Sequence, residues 1–226
     1  MRMAEATKYG LDYFVGHHYG EDPQRRAMYR QEIARLEQHQ PGGRLYDLGC
    51  GVGGFLNELD PHRWERHGVD LSPYAIDAAR RIGATVPDYE RAFDYPDAHF
   101  DAIVLRGTLQ HLYDPFRDLR QCIRLLAPGG VLAFLATPNT RSPYYLLFGT
   151  LPALDPERNW FLPSDTMLAG IVQNLGLHVV EIRYPYLGTP YARPVRDHLK
   201  FAAALLGRRS AFPFWRNMME LYAVKV

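Results

Sequence analysis

Apolar positions along the chain fall into two rhythms, short unbroken runs and runs spaced by three or four, and their alternation predicts an α/β fold with a mostly parallel sheet and helices on both faces. The first helical rhythm is Tyr29, Ile33 and Leu36, opened by Asp22-Pro23 as cap and first-turn proline and closed by Pro41-Gly42-Gly43. Leu45-Tyr46-Asp47-Leu48 then reads as a strand that breaks into a glycine-rich loop, after which Phe55-Leu56 resume a helix. A second strand ends at His67-Gly68-Val69-Asp70-Leu71, Ser72-Pro73 caps the next helix, and a weak third strand is expected over 84–86. Residues 101–105 form a buried-strand run, and Asp114-Pro115 opens a helix whose expected inner face is Phe116, Leu119, Ile123 and Leu126. Pro128-Gly129-Gly130 turns into a strand over 131–136. Ser164 caps a further helix with Leu168, Ile171, Val172 and Leu175 inward and Gly176 at its end, before strands over 178–183 and 219–226.

The loop Gly49-Cys50-Gly51-Val52-Gly53-Gly54 has glycine at four of six positions, more than a bare strand-to-helix turn needs, and so reads as a backbone built to approach a ligand. Gly49, Gly51 and Gly54 fit G-x-G-x-x-G, with Asp70 twenty-one residues beyond Gly49, so a dinucleotide fingerprint is formally satisfied. Asp47 separates the alternatives. A carboxylate at the end of the strand, facing the loop's ligand, repels a pyrophosphate and suits a cationic group instead. S-adenosylmethionine has an α-amino group and a sulfonium, and no phosphate.

The string Asp47-Leu48-Gly49-Cys50-Gly51-Val52-Gly53, led in by Leu45-Tyr46, resembles the first motif of the class I S-adenosylmethionine-dependent methyltransferases. Asp94-Tyr95-Pro96-Asp97-Ala98-His99-Phe100-Asp101 and Leu125-Leu126-Ala127-Pro128-Gly129-Gly130 resemble the approaches to two later strands of the same family, in the expected order. The resemblance is to the branch that modifies quinones and other small metabolites. It implies a Rossmann-like doubly wound sheet with a last antiparallel strand, and S-adenosylmethionine as cofactor. It also implies that Gly49, Cys50, Gly51 and Gly53 pass under the methionine moiety while Asp47 holds its amino group. Asp70 is given the ribose hydroxyls and Leu71 a wall of the adenine slot; Asp88, with Glu90 as competitor, is given the adenine amino group. Aromatics ahead of the first helix, among them Tyr13 and Tyr19, read either as a lid over the cofactor, through cation–π attraction to the sulfonium, or as anchors of the N-terminus.

Methyl transfer from a sulfonium is a direct displacement, so a base is required only where the acceptor must lose a proton. His111, just after the strand over 101–105, is the candidate base. Arg106 at the end of that strand either steers an anionic acceptor near the cofactor or pairs with a carboxylate. The segments Leu105-Arg106-Gly107-Thr108 and Thr137-Pro138-Asn139 lack the carboxylates of the magnesium-dependent branch, so no metal is expected. The Asp/Asn-Pro-Pro-aromatic tetrapeptide of base-amino methyltransferases is also missing, and nucleic acid is not expected as acceptor.

Composition narrows the frame. At 226 residues, 47% hydrophobic and with a net charge of +1, the chain suits one domain over 1–226 and lacks the cationic excess of a nucleic-acid binder. Within it, 1–40 form an N-terminal lid and helix, 41–137 the cofactor-binding half, and 138–163 and 185–215 acceptor-side insertions. No apolar run is long enough to span a membrane, the start has no signal-peptide core, and two cysteines are too few for a disulfide framework, so a cytoplasmic monomer or homodimer is expected. The first insertion gathers Tyr144, Tyr145, Phe148, Trp160 and Phe161 as an expected aromatic pocket. The second sets Arg193, Arg196, His198, Lys200, Arg208 and Arg209 around an apolar run, either a lid helix or a peripheral membrane contact over 193–209. Two other readings stay open: a catalytically silent S-adenosylmethionine-binding partner subunit, and a nicotinamide oxidoreductase.

Overall fold

The computed structural model describes residues 22–151, 154–155, 157–189, 191–208, 212 and 214–226. Helix α1 (Pro23–Leu36) starts where Asp22 accepts from the Gln24 N–H at 2.9 Å, and it buries Tyr29, Glu32, Ile33 and Leu36. Strand β1 (Gly43–Leu48) follows, then a short helix α2 (Gly54–Glu58), β2 (Trp64–Val69) and α3 (Pro73–Arg81), whose cap Ser72 accepts from the Ala75 N–H. The chain continues through β3 (Phe100–Arg106), α4 (Pro115–Leu125), β4 (Leu126–Pro138) and α5 (Pro143–Phe148). It closes with α6 (Asp165–Asn174), β5 (Leu177–Arg183), α7 (Pro194–Leu205) and β6 (Met218–Lys225).

The strands form one sheet in the order β2-β1-β3-β4-β6-β5, parallel except for β6, which runs antiparallel to both neighbours. This is the mostly parallel sheet the alternation predicted, with the Rossmann-like order and last antiparallel strand that the family resemblance implied. Because side chains alternate across a strand, Leu45, Ala102, Val104, Val131 and Ala133 join one core, whereas Tyr46, Leu48, Ile103, Leu105, Leu132 and Phe134 join the other. Asp47 therefore shares the face of Leu45, the face that α1 covers through Tyr29, Ile33 and Leu36. Strand β1 lies between β2 and β3, where the strand order reverses, and the crevice of a doubly wound sheet opens at the carboxyl ends of such strands. At its far end α1 is tied to the sheet edge, since Arg35 and His39 both bond the Glu181 carboxylate on β5.

Four expectations change. The third strand over 84–86 is reduced to a single parallel bridge between His67 and Thr85, and Ala84 and Val86 are buried beside it. The inner face of α4 is Leu119, Cys122 and Leu125, with Phe116 42% exposed, because Leu126 already belongs to β4 and the buried stripe is rotated accordingly. The Pro128-Gly129-Gly130 turn is absorbed into β4, which runs thirteen residues with Pro128 and Gly129 exposed and Gly130 buried. The insertion aromatics do not line one pocket: Tyr144 is buried with Phe212 and Phe214 in a small separate core against Phe148 and Phe201, while Trp160 is exposed and meets Tyr113 edge-on. Helix α7 packs on α5 through that small core.

Candidate cofactor and acceptor site

The glycine loop is bound to the end of β2 by its own backbone: the Gly49 and Cys50 N–H groups both donate to the Val69 carbonyl, at 2.8 and 2.9 Å. Gly49 has φ +84°, and a Cβ built there would lie 2.4 Å from Thr108 Oγ1. The position thus needs glycine for both its conformation and its contact with the turn after β3. The Gly51 N–H donates to Asp70 Oδ2 at 2.9 Å, and the Ser72 N–H donates to Asp70 Oδ1 at 2.9 Å. Burial raises the Asp70 pKa against these two bonds and one from the Leu71 N–H. A carboxylate has about four acceptor positions, so Asp70 with three backbone donors keeps capacity for a further one. Ser72, not Asp70, caps α3.

Asp47 is 2% exposed, and among the described residues its Oδ1 has no hydrogen-bond partner. Burial pushes its pKa up to about 7; nearby Arg106 opposes the shift, and Asp70 and Glu32 add to it. Beside it a narrow cleft is lined by Tyr29, Gly49, Cys50, Gly51, Val52, Gly54, Phe55 and Arg106. A buried carboxylate oxygen without a donor, at the base of a glycine loop, fits an incoming ammonium group.

Of the residues expected at the site, the cleft brings together Asp47, Gly49, Cys50, Gly51 and Arg106, and Asp70 is joined to it through Gly51. Gly53 sits behind, as the left-handed cap of α2 at φ +81°, and Leu71 follows Asp70 half-buried. Arg106 takes the ion-pair alternative: Nε and Nη2 donate to Glu32 Oε2 and Oε1 at 2.6 and 3.1 Å, and the guanidinium lies 4.5 Å from the Tyr29 ring centroid. Burial works against its charge, but Glu32 holds its pKa above the usual value. Asp88 is exposed and accepts from Arg80 Nη2 at 2.8 Å, so the adenine role given to it would compete with that pair. Glu90 is exposed in a short 3-10 turn. Tyr13 and Tyr19 lie outside the described residues.

His111 ends a 3-10 turn just beyond β3. Its Nδ1 lies 2.9 Å from the Arg158 carbonyl, an acceptor, which places the proton on Nδ1 and leaves a lone pair on Nε2, 3.3 Å from the Gln110 amide nitrogen. Burial lowers its pKa, with the bond to Arg158 opposing. The Gln110 carbonyl accepts from the Trp160 and Phe161 N–H groups at 2.8 and 3.3 Å, so the first insertion is fastened onto the His111 turn.

Reading the sequence missed Glu32, Tyr29 as a cleft residue, Thr108 and Gln110. Only Glu32 left a trace, as a glutamate beside Ile33 and three residues after Tyr29 on the inward face of α1.

A methyltransferase-domain family profile matches residues 21–182. Over 180 residues the chain is 31% identical to a ubiquinone biosynthesis O-methyltransferase of Pseudomonas aeruginosa, covering 71% of this chain and 73% of that protein. It is 35% identical over 112 residues to the ubiquinone biosynthesis O-methyltransferase of Xanthomonas campestris pv. campestris, covering 46% of each, so the match spans about half the length of that relative. A SAM-dependent methyltransferase from Archaeoglobus fulgidus shares the fold with a TM-score of 0.64 at 21% identity, over 94% of this chain and 99% of that one.

Proposed function

Since this chain belongs to the class I S-adenosylmethionine-dependent methyltransferases, we propose that it moves a methyl group onto an oxygen of a small-molecule acceptor by direct displacement, without a metal. The observation that carries the reading is the buried Asp47 carboxylate, whose Oδ1 lacks a donor at the foot of the glycine loop. S-adenosylmethionine, when bound, supplies an electrophilic methyl group on a sulfonium. Asp47 would hold its ammonium group, and Asp70, already fixed by Gly51 and Ser72, would accept from a ribose hydroxyl. Tyr29 and Phe55, in edge-to-face contact at 6.0 Å, wall the cleft and exclude water. Fixing donor and acceptor in line is the main catalytic contribution, worth up to ~7–11 kcal/mol of the barrier.

His111 Nε2 would give up its contact with the Gln110 amide and take the acceptor's hydroxyl proton, a task that supports oxygen over nitrogen, as do the names of the relatives. A lipid-linked acceptor is favoured by one further observation. Val195, Leu199 and Leu206 on and after α7 are 78%, 67% and 85% exposed, beside the cations of the second insertion.

The test is incubation of the chain with methyl-labelled S-adenosylmethionine and a metabolite extract, followed by identification of the labelled product. His111→Ala is expected to slow its formation by roughly 10²–10⁴-fold. Because burial lowers the His111 pKa below the ordinary imidazole value, the base stays neutral into more acidic solution than a free imidazole would, and the wild-type rate should fall on the acid side of the range in which a free imidazole titrates. Product formation by His111→Ala at the wild-type rate would remove His111 from the mechanism. No labelled product from any hydroxylated acceptor would favour the silent partner-subunit reading.

A further inference from the structure

At the carboxyl end of β4 the chain gathers buried polar groups that the cofactor cleft does not use. Ala136 adopts φ +48° where the β4–β6 register shifts, and Arg216 adopts φ +64° just ahead of β6. Left-handed residues other than glycine persist where the surroundings fix them, and they gather at ligand clamps. Between them the Asn139 N–H donates to the Asn217 carbonyl at 3.0 Å. Their side chains are buried, at 0% and 5% exposure. Among the described residues Asn139 Nδ2, both Asn217 side-chain polar atoms and Arg216 Nε nonetheless have no hydrogen-bond partner. Buried donors are rarely left so, and three of these four atoms are N–H donors.

The rest of the cluster is already engaged. Asn139 Oδ1 accepts from the Arg141 and Asp165 N–H groups, and Arg216 Nη2 donates to Asp165 Oδ2 at 2.6 Å and to the Tyr184 hydroxyl at 2.9 Å. Arg141 Nη1 stands 3.6 Å from Asp165 Oδ1. Two guanidinium groups thus face one carboxylate, which leaves positive charge beside the open amide donors. Planar donors of this kind suit a carboxylate. The place is on the acceptor side: the Gly107 N–H donates to the Leu135 carbonyl, so the ends of β3 and β4 adjoin. Residues 158–163 also reach from His111, through the Arg158 carbonyl, to the Thr140 N–H, which donates to the Pro163 carbonyl at 3.1 Å.

We propose that Asn139, Asn217 and Arg216 form a subsite that binds a carboxylate group carried by the methyl acceptor; the inference rests on the small-molecule methyltransferase reading above. Benzoate and its neutral isostere benzamide are the probes, each titrated calorimetrically into the full chain with and without S-adenosylhomocysteine. Benzoate is expected to bind about tenfold or more tightly than benzamide, since only it makes charge-assisted bonds. Asn217→Asp, which sets a negative charge against the probe, should erase the preference, and Asn217→Ser, a smaller change should the first variant not fold, should weaken it. Neither should alter S-adenosylhomocysteine affinity. Equal binding of the two probes to the wild type, or an undiminished preference in both variants, would overturn the subsite. Failure of the wild type to bind S-adenosylhomocysteine contradicts the methyltransferase reading instead, and the benzoate preference without cofactor is decided separately.

Discussion

Glu32 and Arg106 meet with side chains only 4% and 11% exposed, where Arg106 walls the candidate cofactor cleft. A buried pair of this kind adds little net stability as a pair, but removing one partner strands the other. Glu32→Ala is therefore expected to lower unfolding free energy by about 3–5 kcal/mol, measured by urea denaturation, and a loss below about 1 kcal/mol would contradict the burial of an unpaired Arg106. Asp47 lies next to this pair, with a pKa raised from 3.8 to about 7. Between those values the folded state holds more protons than the unfolded one, so ionising Asp47 costs the folded chain stability as pH rises through the window. A bound ammonium group would offset that cost. The sequence made Asp47 legible because strand, loop and charge stand together within a few residues. Glu32 lies fifteen residues upstream on another element, and its pairing with Arg106 is set by the packing of α1, which no local pattern encodes.

At the scale of elements, the helix starts were readable because caps and prolines are local chemistry. Asp22, Asp114 and Ser164 each accept a backbone N–H at the helix they open, as their positions indicated. The glycine loop was readable for the same reason, and Gly49→Ala tests it. The substitution forces a Cβ towards Thr108 at a φ of +84°, so the backbone conformation alone is expected to cost about 1–3 kcal/mol, with a matching fall in the urea midpoint. An unchanged midpoint would mean that the loop can relax away from the turn after β3. What was not readable depended on tertiary partners. Thr85 completes only one bridge, because hydrogen bonds with Arg66 and Gly68 fix that point and the chain then leaves the sheet edge. The aromatics of the first insertion looked like a pocket in sequence. Tyr144 and Phe148 instead make a core with Phe201, Phe212 and Phe214, which lie more than fifty residues away, while Trp160 stays exposed.

Across the whole molecule, the reversal of strand order places β1, β2 and β3 so that Asp47, the loop, Asp70 and the His111 turn all rise from one edge of the sheet. The antiparallel β6 brings Asn217 to the same edge beside Asn139, which sets the proposed acceptor subsite next to the proposed cofactor cleft. Helix α1 covers the Asp47 face and is held at its far end by Glu181. No helix among the described residues is long and apolar enough to cross a membrane. The central claim is that one buried carboxylate selects the cofactor by its cationic end, and calorimetric titration of S-adenosylmethionine across pH tests it most directly. If only ionised Asp47 takes the ammonium group, affinity should fall by about tenfold per pH unit below about 7, and Asp47→Asn should bind weakly at every pH with no such slope. Wild-type affinity that does not vary with pH in that range, or an Asp47→Asn variant that binds as tightly as the wild type, would contradict the claim.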